Sequence, residues 1–260
     1  MQPIPGRGAL AAGLAWLAVL AAACRSGAPP AAIDPAMAAC LPPGTVLLAG
    51  IHVSEIRALP PGRQLPLVTP FLEAFRQAGQ LLIAYDGQDA LMVARGAFAS
   101  APAGATLVAP GLVLGGPDRA IRAAMARRSR GPHAPSALLG FAAGVAAKPV
   151  WMVAPGGVTL PLSGNAANLN RLLRDSEFAS VTAAPGPRIQ LEATAVGRSA
   201  DAARDVEETL RGMVAMMTMA EKRGSPAAAL LGAVEIRREG HVVKATVSAT
   251  PYALENLLAP

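Results

Sequence analysis

Aromatic residues are scarce. Two Trp, two Tyr and five Phe make up 3% of the chain. A binding surface that stacks successive bases has little to draw on, and any core must be built from Ala, Leu, Val and Met. Histidine is almost missing too: only His52, His133 and His241 occur. His52 falls near the end of an apolar run, His133 lies between Pro132 and Ala134-Pro135, and His241 opens an alternating segment after Gly240. Nothing in their spacing brings them together, and no G-x-S-x-G turn offers a serine nucleophile. No catalytic residue is therefore expected.

Cysteine is limited to Cys24 and Cys40, and with no histidine near them they do not form a zinc set. The glycines Gly111, Gly115 and Gly116 precede a helical segment but lack the G-K-[ST] of a phosphate loop. The pair Gly156-Gly157 has no helix directly behind it. Both sets read as turns. Asp86 and Asp89 flank a hairpin turn without the longer ligand series of a calcium loop. Glu207 and Glu208 sit among arginines on a helix. No cofactor is expected. Of the 23 basic residues only Lys148, Lys222 and Lys244 are lysines. Enrichment in Arg, Ala, Gly and Pro together matches GC-rich coding and carries no functional weight.

Of the 260 residues, 52% are hydrophobic, enough for a sizeable core. The net charge is +6, and the basic residues are scattered apart from Arg127-Arg128-Ser129-Arg130, which reads as a solvated helix end. Scattered charge with few aromatics does not indicate a nucleic-acid partner.

The N-terminus holds Arg7 and then the uncharged stretch Gly8–Ala23. A spanning helix needs about 20 apolar residues, so this stretch is short and fits a secretory signal peptide over 1–23. The segment Leu20-Ala21-Ala22-Ala23-Cys24 resembles the lipobox of bacterial lipoproteins, with Ala21 where leucine is commonest. The resemblance covers the leader and Cys24 only; the mature region resembles no characterised family. It implies cleavage before Cys24, a diacylglycerol thioether on the Cys24 sulfur and an acylated amine. Several acyl chains would anchor the protein stably to a cell membrane or outer membrane. Arg25, where an acidic residue marks inner-membrane retention in enteric lipoproteins, implies the outer membrane. Ala21-Ala22-Ala23 also fits ordinary signal cleavage, and an uncleaved anchor is the third option. All three place the mature region outside the cytoplasm. With Cys24 acylated, Cys40 has no intramolecular partner; with Cys24 free, a Cys24–Cys40 disulfide would close a small loop.

Residues 24–43 read as the lipidated cysteine and a flexible tether. Residues 44–147 and 148–260 read as two α+β modules, antiparallel sheets with helices packed on one face, and their repeated element order suggests related modules. Strands are expected at 45–53, 81–85 and 90–95 about the turn Asp86–Asp89, and at 106–108 and 112–114. Further strands are expected at 150–153, 178–183, 188–196, 233–237 and 241–249. Helices are expected over 63–80, 118–130, 136–147, 166–175 and 251–258, with the strongest starting at the N-cap Ser199 and ending at Gly224-Ser225-Pro226. On that helix Ala203, Val206, Leu210, Met213, Val214 and Met217 form the apolar stripe, while Arg204–Glu208 and Glu207–Arg211 are spaced to pair.

The function expected is a lipid-anchored cell-envelope protein with a non-catalytic binding or structural role. Its partners would be the membrane, through lipid on Cys24, and an envelope protein. The alternatives are an envelope hydrolase or ligand-binding enzyme using scattered Asp, Glu, Ser and Arg, or soft-metal binding through Met213, Met216, Met217 and Met219.

Overall fold

The computed structural model describes residues 33–59, 75–131, 134–160, 169–222 and 224–250. The first described element is a short helix, α1 (Pro35–Ala38), capped by the Asp34 carboxylate, which accepts from the Ala36 amide at 2.7 Å. Proline at the first helical position and aspartate at the cap are what this start requires. Met37, Cys40 and Leu41 behind it are fully buried. The expected tether over 24–43 is thus corrected: its last part, from Ile33, belongs to the core. Met37, Cys40 and Leu41 bring enough apolar surface to dock, which the surrounding Ala and Pro masked in the sequence.

There follow β1 (Leu47–Ile51) and α2 (Val53–Arg57), then the hairpin β2 (Ala78–Tyr85) and β3 (Ala90–Gly96). The helix expected over 63–80 lies mostly outside the described residues, and its end, Ala78–Gln80, is strand. The hairpin β4 (Ala105–Ala109) and β5 (Leu112–Gly115) leads to α3 (Asp118–Arg127), a 3-10 turn at Arg128–Arg130 and α4 (Ser136–Val145). Then come β6 (Val150–Pro155), α5 (Leu169–Asp175), β7 (Ser176–Ala184) and β8 (Ile189–Gly197). The long helix α6 (Ala200–Ala220) starts where expected, the Ser199 hydroxyl accepting from the Ala202 amide at 3.1 Å. A short helix not expected from the sequence, α7 (Pro226–Gly232), precedes the hairpin β9 (Glu235–Glu239) and β10 (Val242–Ala249). The helix expected over 251–258 lies outside the described residues.

All ten strands form one antiparallel sheet in the order β4-β5-β3-β2-β1-β6-β7-β8-β10-β9. Reading outward from the β1–β6 seam, each half runs first, second, third, fifth, fourth strand. The halves thus share a strand order, while their helices enter at different points: α3 and α4 follow β5, whereas α6 and α7 stand between β8 and β9. They are not separately cored. Trp151 and Val153 of β6 pack in one cluster with Leu48, Leu82 and Leu138, and Ala183, Ile189 and Ala249 pack in another with Ile51 and Leu81.

The two clusters lie on opposite faces, because neighbouring strand residues such as Leu81 and Leu82, or Val113 and Leu114, divide between them. On the front face α1, α3 and α4 cover the strands of the first half. On the back face lie α2 and α7, and Ala203 and Val206 of α6 pack on Ala195 and Val243. The expectation of helices on one face is thus corrected. Strands β2, β3 and β5 are buried on both sides and demand two helical layers, whereas β8 and β10 alternate and, among the described residues, are covered by helices on the back alone.

Cross-strand register defines the two ends of the sheet. The upper end carries the Asp86–Asp89 turn, the start of α3, and the start of α6 after Gly197. The lower end carries the β1–α2 junction after Ile51, the start of β6 at Val150 and the turn between Ala184 and Ile189.

Candidate functional site

Three strands of the second half, β8, β10 and β9, leave their front face without a covering helix among the described residues. The helices that pack on them, α5, α6 and α7, sit behind. Strict alternation builds this face: Gln190, Glu192 and Thr194 on β8, Lys244, Thr246 and Ser248 on β10, and Glu235, Arg237 and Glu239 on β9. The register sets Glu192, Thr246 and Glu235 side by side in one row, and Thr194, Lys244 and Arg237 in the next. Cationic and anionic rows thus adjoin, an arrangement that favours cross-strand attraction.

Several side chains of the face are held. The Arg237 guanidinium donates to the Glu235 carboxylate at 2.9 Å. Ser248 accepts from Arg188 at 2.9 Å and from Gln190 at 2.8 Å, and the Ser248 carbonyl takes a second Arg188 bond at 2.6 Å. Lys244, Thr246, Val242 and the three charged residues of β9 line a shallow hollow of about 300 Å³. A rigid, mixed-charge surface of this kind offers donors and acceptors at strand spacing to a polar partner. The outer edge of β9 is short and charged, features that discourage indiscriminate strand pairing. The sequence signal for this face was the double alternation in β8 and β10; in β9 the alternation is broken by Arg238, which shares the back parity with Ile236.

The methionines divide. Met213 packs against the α6–sheet cluster, whereas Met216 and Met219 are 59% and 79% exposed. Met219 lines an open hollow between α6 and α7 with Ala215, Ala228 and Ala229. Glu207 bonds Arg211 at 2.7 Å as expected and also Arg238 of β9 at 2.8 Å, fastening α6 to the sheet. Those bonds, led by the one from Arg238, hold the Glu207 carboxyl below its ordinary range. Arg204 faces Asp201 at 4.0 Å instead of Glu208, a correction within the first turns of α6.

The histidines do not converge. His52 lies at the lower end, its Nε2 2.7 Å from the Ala146 carbonyl and its Nδ1 3.4 Å from Glu55. His241 is exposed at the upper end, and His133 lies outside the described residues. Asp86 accepts from the amides of Gln88 and Asp89, closing its turn, while Asp89 receives two bonds from Arg119 at 2.5 and 2.7 Å. Those bonds hold the Asp89 pKa below the usual carboxylate value. Gly111 and Gly116 take positive φ, and a Cβ on either would meet a strand carbonyl at 2.6 Å; close backbone approach accounts for both.

Cys24 lies outside the described residues. Cys40 is a free thiol, fully buried, its sulfur 3.4 Å from the Ala36 carbonyl. Burial pushes its pKa up, against the pull of Arg128 and Arg127.

No family model matches the chain, and no curated protein matches it. Among solved structures it resembles crystal form I of TP0453, with a TM-score of 0.48 at 10% identity over 88% of this chain and 98% of that one.

Proposed function

We propose that the protein is held at the cell envelope by lipid on Cys24 and acts there without catalysis, by binding a protein partner. The observation that carries the binding role is the polar front face of β8, β10 and β9, which no helix among the described residues covers and where Glu192, Lys244 and Arg237 stand on a sheet instead of a loop. Support for the address comes from the leader pattern and its Cys24. The wide separation of His52 and His241 argues against a shared catalytic site.

Two measurements test the reading. Intact mass of membrane-extracted protein is expected to show the chain from Cys24 plus a diacylglycerol and an acyl group; an unmodified mass would remove the anchor. Photo-crosslinkers placed at Thr194 or Lys244 in intact cells are expected to capture a defined partner that one at Arg122, on α3, does not. Equal capture from both positions, or turnover of a hydrolase substrate that a single substitution abolishes, would overturn the binding role.

A further inference from the structure

The two ends of the sheet carry opposite charge. At the lower end Arg57, Arg76, Arg130, Lys148, Arg188 and Lys222 are exposed. Register and connectivity place them there: Arg57 ends α2, whose Ser54 bonds Gly79 at the start of β2, Lys148 precedes β6, Arg188 precedes β8, and Lys222 follows α6. Arg130 closes the 3-10 turn in which Arg128 bonds the Val108 carbonyl at 2.7 Å. Their acidic neighbours among the described residues are fewer: Glu55, Glu221, Glu235 at the start of β9, and Asp34, the last 3.5 Å from Arg95. At the upper end stand Asp86, Asp118, Asp175, Glu177, Asp201 and Glu239, with Arg119, Arg174, Arg198 and Arg204 against them.

The chain enters the fold at the basic end. Asp34 and Arg95 pair at the last turn of β3, and the Arg127 guanidinium reaches the Cys40 carbonyl at 3.3 Å. Cys24 and Ile33 are nine residues apart, so the span between them is at most about 30 Å. A tether this short holds one end of the body against whatever Cys24 is attached to. Met219, the large apolar side chain most exposed among the described residues, lies at the same end, in the last turn of α6.

We infer that the lower end of the sheet is a membrane-facing surface that recognises anionic phospholipid headgroups, with the acidic end directed away. Six exposed cations within a Debye length of a negative leaflet add their attractions, and arginine matches phosphate through paired N–H donors. The acidic end would be repelled, so the short tether and the charge gradient select one orientation. In that orientation the strands stand across the membrane plane, and the uncovered face of β8, β10 and β9 stays open sideways to a partner. This deepens the anchored reading by naming the surface that meets the bilayer.

The test uses the exported Cys24→Ser protein, which has no sulfur at residue 24 to acylate, and vesicles of phosphatidylcholine alone or with one third phosphatidylglycerol. Partitioning is expected to be at least about tenfold stronger on the anionic vesicles and to be lost at about 0.5 M salt. The pair Arg130→Glu and Lys222→Glu is expected to abolish the preference. The pair Arg174→Glu and Arg204→Glu, equal in net charge but at the upper end, is expected to retain most of it. Equal partitioning on both vesicles, equal loss in both pairs, or tighter binding to duplex DNA than to anionic vesicles at the same salt would overturn the inference. Should the intact mass show no lipid, the anchor fails while the vesicle result still decides the surface.

Discussion

The Trp151 indole lies directly across Gly50. The two are cross-strand partners on β6 and β1, and a Cβ at Gly50 would run into the Trp151 ring. Trp151 is fully buried, and with it the seam of the two halves closes on the front face between Leu48, Leu82 and Leu138. Strand β1 contributes a glycine where β6 contributes the largest side chain, so the seam is complementary in volume.

Trp151→Ala is expected to cost about 3–5 kcal/mol, from lost burial and the cavity left between the halves. Gly50→Ala is expected to cost about 1–3 kcal/mol or more by overpacking. Denaturant melts check both. A Gly50→Ala protein with unchanged stability would mean that the indole sits elsewhere.

The buried thiol of Cys40 predicts a chemical pattern. Because burial raises its pKa and closes access, iodoacetamide at neutral pH is expected to leave Cys40 unmodified in the folded protein and to alkylate it in denaturant. Peptide mapping by mass reads the outcome. Rapid labelling of the native protein would show that residues 33–43 are not docked.

Two carboxylates with lowered pKa set a pH dependence. Asp89 is held down chiefly by the bonds from Arg119, and Glu207 by the bond from Arg238. A carboxyl depressed in the folded state adds stability above its unfolded value, about 4, and loses that contribution as pH falls through the folded value. Asp89→Asn and Glu207→Gln are therefore expected to lower Tm at pH 7. The gap from the unsubstituted protein should shrink steadily below about pH 4. A gap that widens in acid would reverse the sign and the argument.

Removing the N-cap of α6 is expected to destabilise modestly. Ser199→Ala should cost about 1 kcal/mol, and Ser199→Asp should restore it, since either oxygen can accept from the Ala202 amide. Thermal melts distinguish the two.

Much of the fold was legible in local patterns. The hairpin about Asp86–Asp89 was marked by its turn residues, the start of α6 by Ser199, and the wet face of β8 by Gln190, Glu192 and Thr194 alternating with Ile189 and Leu191. The short helices α1, α2 and α7 were not legible. Each has at most seven residues, too few for a helical period to stand out, and each is held by packing of Met37, Ile56 or Leu230 instead of by propensity. The face was half visible, because in β9 only Ile236 marks the inward parity and the strand's place beside β10 follows from pairing.

The sequence by itself determined the α+β character and most strand and helix positions, because each is a property of a few neighbouring residues. Only the tertiary structure decided that the two halves share one sheet, that helices cover both faces of its first half, and that the basic side chains gather at the end where the chain enters. Those outcomes depend on which strand lies beside which. Arg57, Arg130 and Lys222 are far apart along the chain, and register alone brings them to one end.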